Sequence, residues 1–445
     1  AAESYAAPAA MEAPAAAPYY PDAPADMFFE DYGVRGFVTA AKDNLSTFAV
    51  DVDTGSYTVA RNYVQDGWLP PEDAVRAEEF VNYFDYKYPN PAADETFGIS
   101  VDGAPSPFAE RQANRMLRVG IQGYSVPADE RQDVALTFVI DVSGSMDMEN
   151  RLGLAKRALY LLVNELRPTD SVAIVVYGTN ARTVLDMTPV SEKQVILNAI
   201  NQVYAEGSTN AAAGLWLGYR LASEHFNPEA TNRVILLSDG VANVGVTGPG
   251  EILDVIKRHA NEGITLTTVG LGMGNYNDTL MEQLADDGDG FYAYVDSMKE
   301  AERLFVDDLT GTLLTIAKDA KIQVEFNPEV VERYRLVGYE NRDVADDDFR
   351  NDEVDAGEIG AGHSVTALYE IELLPGSDDP DALIATARLR WEEMGSGEVI
   401  EMEQPITAGE LAGAFEESAA RFQLAVAVAE YAELLKHSPY AWEGS

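Results

Sequence analysis

Three oxygen-bearing side chains lie close together at Asp141, Ser143 and Ser145, in the sequence Asp-Val-Ser-Gly-Ser. One carboxylate and two hydroxyls alternate along this stretch. Gly144 lets the backbone bend, so that all three side chains can converge on one point. Because hard divalent cations take oxygen ligands of this kind, the stretch predicts part of a cation-binding site.

Two later loops carry matching donors. Thr209 lies in Gly-Ser-Thr-Asn before a predicted helix, and Asp239 follows directly after the apolar run RVILLS. Loops at the carboxyl ends of parallel strands meet at one edge of a sheet, although they lie far apart in the sequence. The sequence therefore predicts a cation held by water and five side chains: Asp141, Ser143, Ser145, Thr209 and Asp239.

The predicted ligand set leaves the cation short of negative charge, because three of its five side chains are neutral hydroxyls. Mg²⁺ favours near-octahedral geometry with few protein carboxylates and is the first choice, with Ca²⁺ and Mn²⁺ as alternatives. A cation bound in this way would favour an acidic sixth ligand from outside. The chemistry therefore predicts a protein partner that supplies an Asp or Glu.

The element that must position the first loop is the apolar run 134–141, which reads as a strand buried on both faces. Strand and helix patterns alternate from there to residue 318, which predicts a parallel sheet with helices on both faces. The predicted strands are 134–141, 171–177, 233–238, 264–270 and 291–295, with a short edge strand at 183–185. The predicted helices are 150–167, 191–204, 210–224, 250–261, 278–285 and 298–317.

The flanks differ from this central region in composition. Residues 1–36 are rich in Ala and Pro and predict a flexible tether, since repeated Pro prevents a helix. Residues 37–125 form a first folded segment, and 319–408 show the alternation of an antiparallel β domain. Residues 409–445 form a C-terminal helix, predicted at 409–437, and a tail. The central region between them is 126–318.

The composition excludes several functions. Acidic residues outnumber basic ones by 75 to 31, which gives a formal net charge of −44. This charge argues against sequence-independent nucleic-acid binding and against polybasic contact with anionic lipid. The chain has no cysteine, which excludes a thiol nucleophile and thiolate metal ligands. No apolar run approaches the roughly 18 residues that a transmembrane helix needs. The first residue is Ala1, which predicts a processed or trimmed chain.

The central region resembles the von Willebrand factor A domain, and its three loops match the metal-ion-dependent adhesion site of that family. The resemblance implies a Rossmann-like α/β fold. It also implies that Ser143, Ser145 and Thr209 coordinate the metal directly or nearly so. The carboxylates of Asp141 and Asp239 would often act through water.

Both flanks resemble one bacterial family of A-domain proteins. Residues 47–84 are similar to its N-terminal segment, and ENRDVADDDF at 340–349 is similar to its C-terminal domain of unassigned function. The resemblance implies a β-rich domain built from the N- and C-terminal segments. It also implies an exported protein of the periplasm or cell surface, which could be membrane-anchored through a segment missing from this chain.

The leading functional hypothesis is a non-enzymatic, metal-dependent protein that binds a partner for adhesion or assembly. The first alternative is a structural envelope or surface component, whose metal site is completed internally or by a neighbouring copy. The second is an adaptor to a separate ATPase chain, because no nucleotide-binding motif occurs here. The first alternative keeps the cation site and changes what completes it.

Two acidic motifs need a separate interpretation. Asp53 begins Asp-Thr-Gly-Ser, the turn of an aspartic protease, but such an enzyme needs a second matching turn, which this sequence lacks. Asp147 and Glu149 lie just past the serine motif and could form an adjacent calcium site. Equally, they could be acidic residues at a helix N-terminus, where the helix dipole favours them.

Overall fold

The computed structural model describes residues 27–50, 52–92, 94–108, 114–127, 129–240, 249–272, 277–354, 356–377, 379–394, 396–411 and 413–442. Within these ranges, side chains are described except at 149, 150, 249–251, 310 and 312. Most of the predicted tether, residues 1–26, lies outside the described residues. Across the described residues, no helix combines the length and the apolar character that a membrane span requires.

The described strands and helices follow in chain order. The strands are β1 Val38–Thr39, β2 Leu45–Ala49, β3 Phe97–Pro105, β4 Asn114–Gly123, β5 Asp133–Asp141, β6 Ser171–Tyr177, β7 Ala181–Pro189, β8 Ala230–Ser238, β9 Ile264–Leu271, β10 Tyr292–Val295, β11 Thr315–Phe326, β12 Val331–Val337, β13 Gly357–Gly360, β14 Ser364–Leu373, β15 Leu383–Glu393 and β16 Val399–Thr407. The α-helices are α1 Gly55–Gln65, α2 Ala77–Asn82, α3 Arg151–Glu165, α4 Lys193–Asn201, α5 Ala211–Glu224, α6 Pro249–Asn261, α7 Asp278–Asp286, α8 Met298–Glu302, α9 Leu309–Leu313 and α10 Ala420–Leu435.

A six-stranded sheet with the order β10-β9-β8-β5-β6-β7 forms the centre of the molecule. All its neighbouring strands are parallel except β7, which runs antiparallel to β6. On β5, Phe138 packs in the same core cluster as α3, whereas Val139 packs with α5 on the other face. Both faces are therefore covered by helices, which explains the uninterrupted apolar run and confirms the predicted fold class.

Two antiparallel sheets form the β-rich part of the molecule, and each combines strands from both ends of the chain. In one, β4 pairs with β14, with Val119 opposite Ala367. In the other, β2 pairs with β11, with Phe48 opposite Ile322. This confirms a β-rich unit built from the N- and C-terminal segments. The residue bounds of the five predicted segments stay a prediction.

The predicted helix 298–317 is broken into three short helical pieces, and the prediction is wrong from Thr315 onward. After α8, one π-helical turn covers Arg303–Asp307, α9 ends at Leu313, and β11 begins at Thr315. Thr315 pairs with Gly360 of β13, so tertiary strand pairing overrides the local helical pattern. The predicted helix 409–437 is likewise shorter than expected, because α10 begins only at Ala420. Gly413 before it has a φ of 103°, which a helix cannot contain.

His363 lies where the central sheet meets the β-rich part. Its ring contacts Phe291 edge to face, and among the described residues its Nδ1 atom has no hydrogen-bond partner. Burial and the positive charges of Arg303 and Arg233 lower the pKa of His363 to about 4. The imidazole is therefore neutral in the folded protein and must be protonated at the expense of folding as the pH falls.

We expect His363 to make the folded state sensitive to acid. Its folded pKa is about 4, below the ordinary value of about 6.5, so the unfolded chain binds more protons between these values. Stability from this group is complete above pH ~6.5 and falls as the pH drops towards 4. Between pH 7 and pH 4.5, the wild type should lose about 2 kcal/mol more free energy of unfolding than His363→Gln. Urea unfolding at both pH values measures this difference, and equal losses in the two proteins would contradict it.

Candidate metal centre

The predicted cation site lies at the carboxyl edge of the central sheet. Asp141 is the last residue of β5, and a 3₁₀-helix at Gly144–Asn150 leads from the serine motif into α3. The backbone N–H of Val142 donates to the carbonyl of Tyr177 at the end of β6, over 2.9 Å. The loop is therefore fixed to the neighbouring strand at the point where it leaves the sheet.

Hydrogen bonds connect four of the five predicted residues across the ends of β5 and β8. The Asp141 carboxylate accepts hydrogen bonds from the Ser143 N–H (2.8 Å) and the Ser238 hydroxyl (2.9 Å). The Ser143 and Ser145 hydroxyls are 3.0 Å apart. The Ser145 hydroxyl donates to Asp239 Oδ1 over 3.1 Å. The strand order thus brings together residues that are about 100 positions apart in the sequence.

Thr209 lies on a neighbouring loop that is tied to the serine motif. The Gly144 N–H donates to the Gly207 carbonyl over 3.2 Å. Gly207 has a φ of 79°, and an added Cβ there would lie 2.5 Å from Thr179 Oγ1, so this close approach requires glycine. In the described part of the chain, no hydrogen bond joins the Thr209 hydroxyl to the other four side chains. Thr209 therefore lies beside the cluster and is partly exposed.

The two carboxylates lie beneath the hydroxyls. Asp141 and Asp239 are buried, as is Ser143, whereas Ser145 and Thr209 are partly exposed. Burial raises the pKa of Asp141 to about 6, although hydrogen bonds from Ser143 oppose the shift. The two carboxylates and the nearby serine hydroxyls are hard oxygen donors, which divalent cations take as ligands. The donor set therefore fits a hard divalent cation.

Arg151 is a member of this site that the sequence analysis missed. Its Nη1 atom donates to Asp239 Oδ2 over 2.8 Å, and both side chains are only 4% exposed. The sequence did contain a signal for Arg151. It is the first residue of α3, and the helix dipole disfavours a positive charge at a helix N-terminus. A basic residue in that position needs a nearby carboxylate, which only the tertiary structure identifies as Asp239.

Asp53 and Asp147, which represent the two acidic motifs, lie in different surroundings. Asp53 accepts a hydrogen bond from the backbone N–H of Tyr292 (2.9 Å) and pairs with Arg342 (3.3 Å). Asp53 is therefore a buried residue that connects segments lying far apart in the sequence. Asp147 is exposed, and the Glu149 side chain lies outside the described residues. Among the described residues, no cluster of three or more His, Cys, Asp or Glu side chains could hold a metal ion.

Three family models match successive parts of the chain. The von Willebrand factor type A domain matches residues 135–307, which contain the complete candidate centre. A second von Willebrand factor model matches residues 23–118. The C-terminal model of the uncharacterized protein YfbK matches residues 311–445.

The chain is similar to proteins without an assigned function. It is 42% identical over 352 residues to the uncharacterized protein YfbK of Escherichia coli (strain K12), covering 78% of this chain and 60% of YfbK. The chain thus spans less than two thirds of that relative. It is 24% identical to the uncharacterized protein sll0103 of Synechocystis sp., covering 68% of this chain and 71% of sll0103. Among solved structures, a von Willebrand factor type A protein from Catenulispora acidiphila is 16% identical. That match covers 72% of this chain and 75% of that chain, with a TM-score of 0.44.

Proposed function

We propose that this chain, which contains a von Willebrand factor type A domain at residues 135–307 and matches the C-terminal model of YfbK at residues 311–445, is a non-enzymatic, metal-dependent protein-binding protein. Proteins with this domain typically mediate protein interactions. The metal ligands would be Asp141, Ser143, Ser145, Thr209 and Asp239. Mg²⁺ is the first candidate, and Ca²⁺ and Mn²⁺ are alternatives.

One observation carries this proposal. Hydrogen bonds connect the side chains of Ser143, Ser145 and Asp239, and Asp141 joins them by accepting from the Ser143 N–H. Both carboxylates are buried, whereas Ser145 is partly exposed. A bound divalent cation would supply an electrophilic position at that surface. Within the described residues no third acidic side chain completes a metal-binding cluster, which favours a ligand from another molecule. That ligand would be an Asp or Glu of a protein partner.

The two alternatives differ in what completes the site. A structural envelope component would use a carboxylate from a neighbouring copy of the chain, and its metal dependence would appear as self-association. An adaptor would instead co-purify with a separate ATPase chain. Export to the periplasm or cell surface, with or without a membrane anchor outside this chain, forms part of the leading proposal and argues against the adaptor.

Partner capture should depend on both the metal and Thr209. We expect the immobilised chain to retain a protein from an extract of its source cells in Mg²⁺ and to release it in EDTA. Thr209→Val should lower retention at least about tenfold, because it removes a partly exposed oxygen donor without changing the volume much. Quantitative mass spectrometry of the retained protein is the measurement.

Thr231→Val is the matched control. Thr231 is also partly exposed, but it lies near the start of β8, at the opposite end of the strand from Asp239. This variant should retain the partner as well as the wild type does. Retention that is unchanged in EDTA and in Thr209→Val would contradict the proposed function. Retention of the chain itself as the only metal-dependent partner would favour the structural alternative.

A further inference from the structure

One carboxylate of the candidate metal centre is shared between the hydroxyl donors and an arginine. Asp239 Oδ1 accepts the Ser145 hydroxyl at 3.1 Å, whereas Asp239 Oδ2 accepts Arg151 Nη1 at 2.8 Å. The ion pair is almost fully buried on both sides. A buried cation therefore lies at the centre before any metal binds.

The position of Arg151 is built into the fold. Gly272, which follows β9, has a φ of 77°, and an added Cβ there would lie 2.2 Å from Arg151 Nε. The guanidinium thus occupies space that a side chain at residue 272 would fill. At the same time, the first turn of α3 places the positive end of the helix dipole near Arg151. Asp239 compensates for this unfavourable placement.

Arg151 makes the net charge of the candidate metal centre less negative. Without it, Asp141 and Asp239 would together present two negative charges to a divalent cation. Arg151 brings one positive charge into direct contact with Asp239, and burial limits the screening of that charge by water. A bound cation would be repelled by the guanidinium and would remain short of negative charge.

We propose that Arg151 is a built-in counter-cation that lowers the affinity of this centre for divalent metal. The inference rests on the proposed function, because it concerns the same site. Arg151 is a positioning residue in this scheme, since it acts on the metal through Asp239. The charge deficit that it leaves strengthens the attraction for a carboxylate from a partner.

The test is metal affinity of the full chain, measured by calorimetry with Mg²⁺ and Mn²⁺ alone. Arg151→Gln should bind each ion at least about tenfold more tightly, because one nearby positive charge is removed. Arg151→Lys keeps the charge and should bind with nearly the wild-type affinity. Arg157→Gln is the matched control, since it removes an exposed arginine from the same helix and should change nothing.

Gly272→Ala provides a second route to the same result. Its Cβ would displace the guanidinium from Asp239, so metal affinity should again rise. This variant keeps the guanidinium but moves it away from Asp239, so it tests the position of the positive charge and not only its presence. Circular dichroism verifies the fold of each variant before titration.

The possible outcomes separate the two proposals. Unchanged or weaker metal binding in every folded variant of the pair Arg151→Gln and Gly272→Ala, with normal binding by the wild type, overturns the role of Arg151 alone. Failure of the wild type and of every folded variant to bind either ion overturns the proposed function, and the inference with it. Tighter binding in either variant supports the inference, even where wild-type binding is too weak to measure.

Discussion

Replacing Asp141 with asparagine is expected to abolish stabilisation of the protein by divalent cations. Asp141 is buried at the end of β5, and its two oxygens accept from the Ser143 N–H and the Ser238 hydroxyl. Asparagine keeps the shape of the side chain but removes the negative charge from the centre. We expect cation affinity to fall by at least about a hundredfold, because the lost charge faces a divalent ion in a buried site.

Thermal unfolding with and without Mg²⁺ measures this effect. A cation at a hundred times its dissociation constant stabilises a folded protein by about 2.7 kcal/mol, and this increment should disappear in Asp141→Asn. Asp147→Asn is the control, because Asp147 is exposed on the adjacent 3₁₀-helix and the same charge is removed. Full Mg²⁺ stabilisation of Asp141→Asn would rule out Asp141 as a ligand. Loss of stabilisation in Asp147→Asn would instead point to a second cation site.

The second large effect is expected at Arg76, which joins the N-terminal segment to the central domain. Arg76 Nη1 is 2.7 Å from Asp278 Oδ2 of α7, and Arg76 also forms an ion pair with Glu79. Glu282 lies 3.8 Å from the same guanidinium nitrogen. All four side chains are buried, so Arg76 compensates for several carboxylates at once.

Arg76→Met should therefore lower the free energy of unfolding by about 3–5 kcal/mol. The substitution leaves buried carboxylates without this positive charge, and the cost of an uncompensated buried charge is far larger than the value of a surface pair. Urea unfolding, followed by circular dichroism, is the measurement. Removal of Arg76 should also expose the N-terminal segment to limited proteolysis.

Arg220→Met is the control for this prediction. Arg220 is exposed on α5 and faces Glu224 over 3.8 Å, so its removal should cost less than about 1 kcal/mol. A loss in Arg76→Met no greater than that in Arg220→Met would mean that the ion cluster does not stabilise the junction. The Arg342 pairs with Asp53 and Glu282 would then be the more important contacts.

The two predictions concern separate properties of the molecule. The Asp141→Asn variant tests metal binding at one edge of the central sheet. It should fold normally without metal, since burial already disfavours the charged carboxyl of Asp141 and raises its pKa. The Arg76→Met variant tests how the flanking segments are fixed to the central domain. It should leave the predicted metal ligands in place. If Arg76→Met binds metal normally but unfolds more easily, its effect on stability is separate from metal binding.

Much of the central domain could be predicted from local patterns. The strand 134–141 differs from the observed β5 by a single residue, because a strand buried on both faces leaves an uninterrupted apolar run. Helix α3 buries Leu152, Ala155 and Leu159, which recur at the three- to four-residue spacing of one helix face. The short strand predicted at 183–185 proved longer, since β7 spans Ala181–Pro189. It is an edge strand in which no residue is fully buried, so it lacks the continuous apolar run that would mark its ends.

The β-rich part was less predictable. Strands β12 and β13 were not predicted, and the break between α8 and β11 was missed. In each case a partner far along the chain decides the conformation: β12 pairs with β14, and Thr315 of β11 pairs with Gly360. Local periodicity contains no information about such partners, because strand pairing depends on long-range hydrogen bonds.

The sequence alone predicted which residues could bind a cation and at which edge of the sheet they would lie. Alternation of strands and helices places Asp141, Thr209 and Asp239 at the same edge of a parallel sheet, since parallel strands end together. The arrangement of charge at that edge followed only from contacts between residues far apart in the sequence. The contact between Arg151 and Asp239 joins residues 88 positions apart, and room for it depends on Gly272. Spacing and composition specify donors, whereas the electrostatics of a buried site depend on which side chains the packing brings into contact.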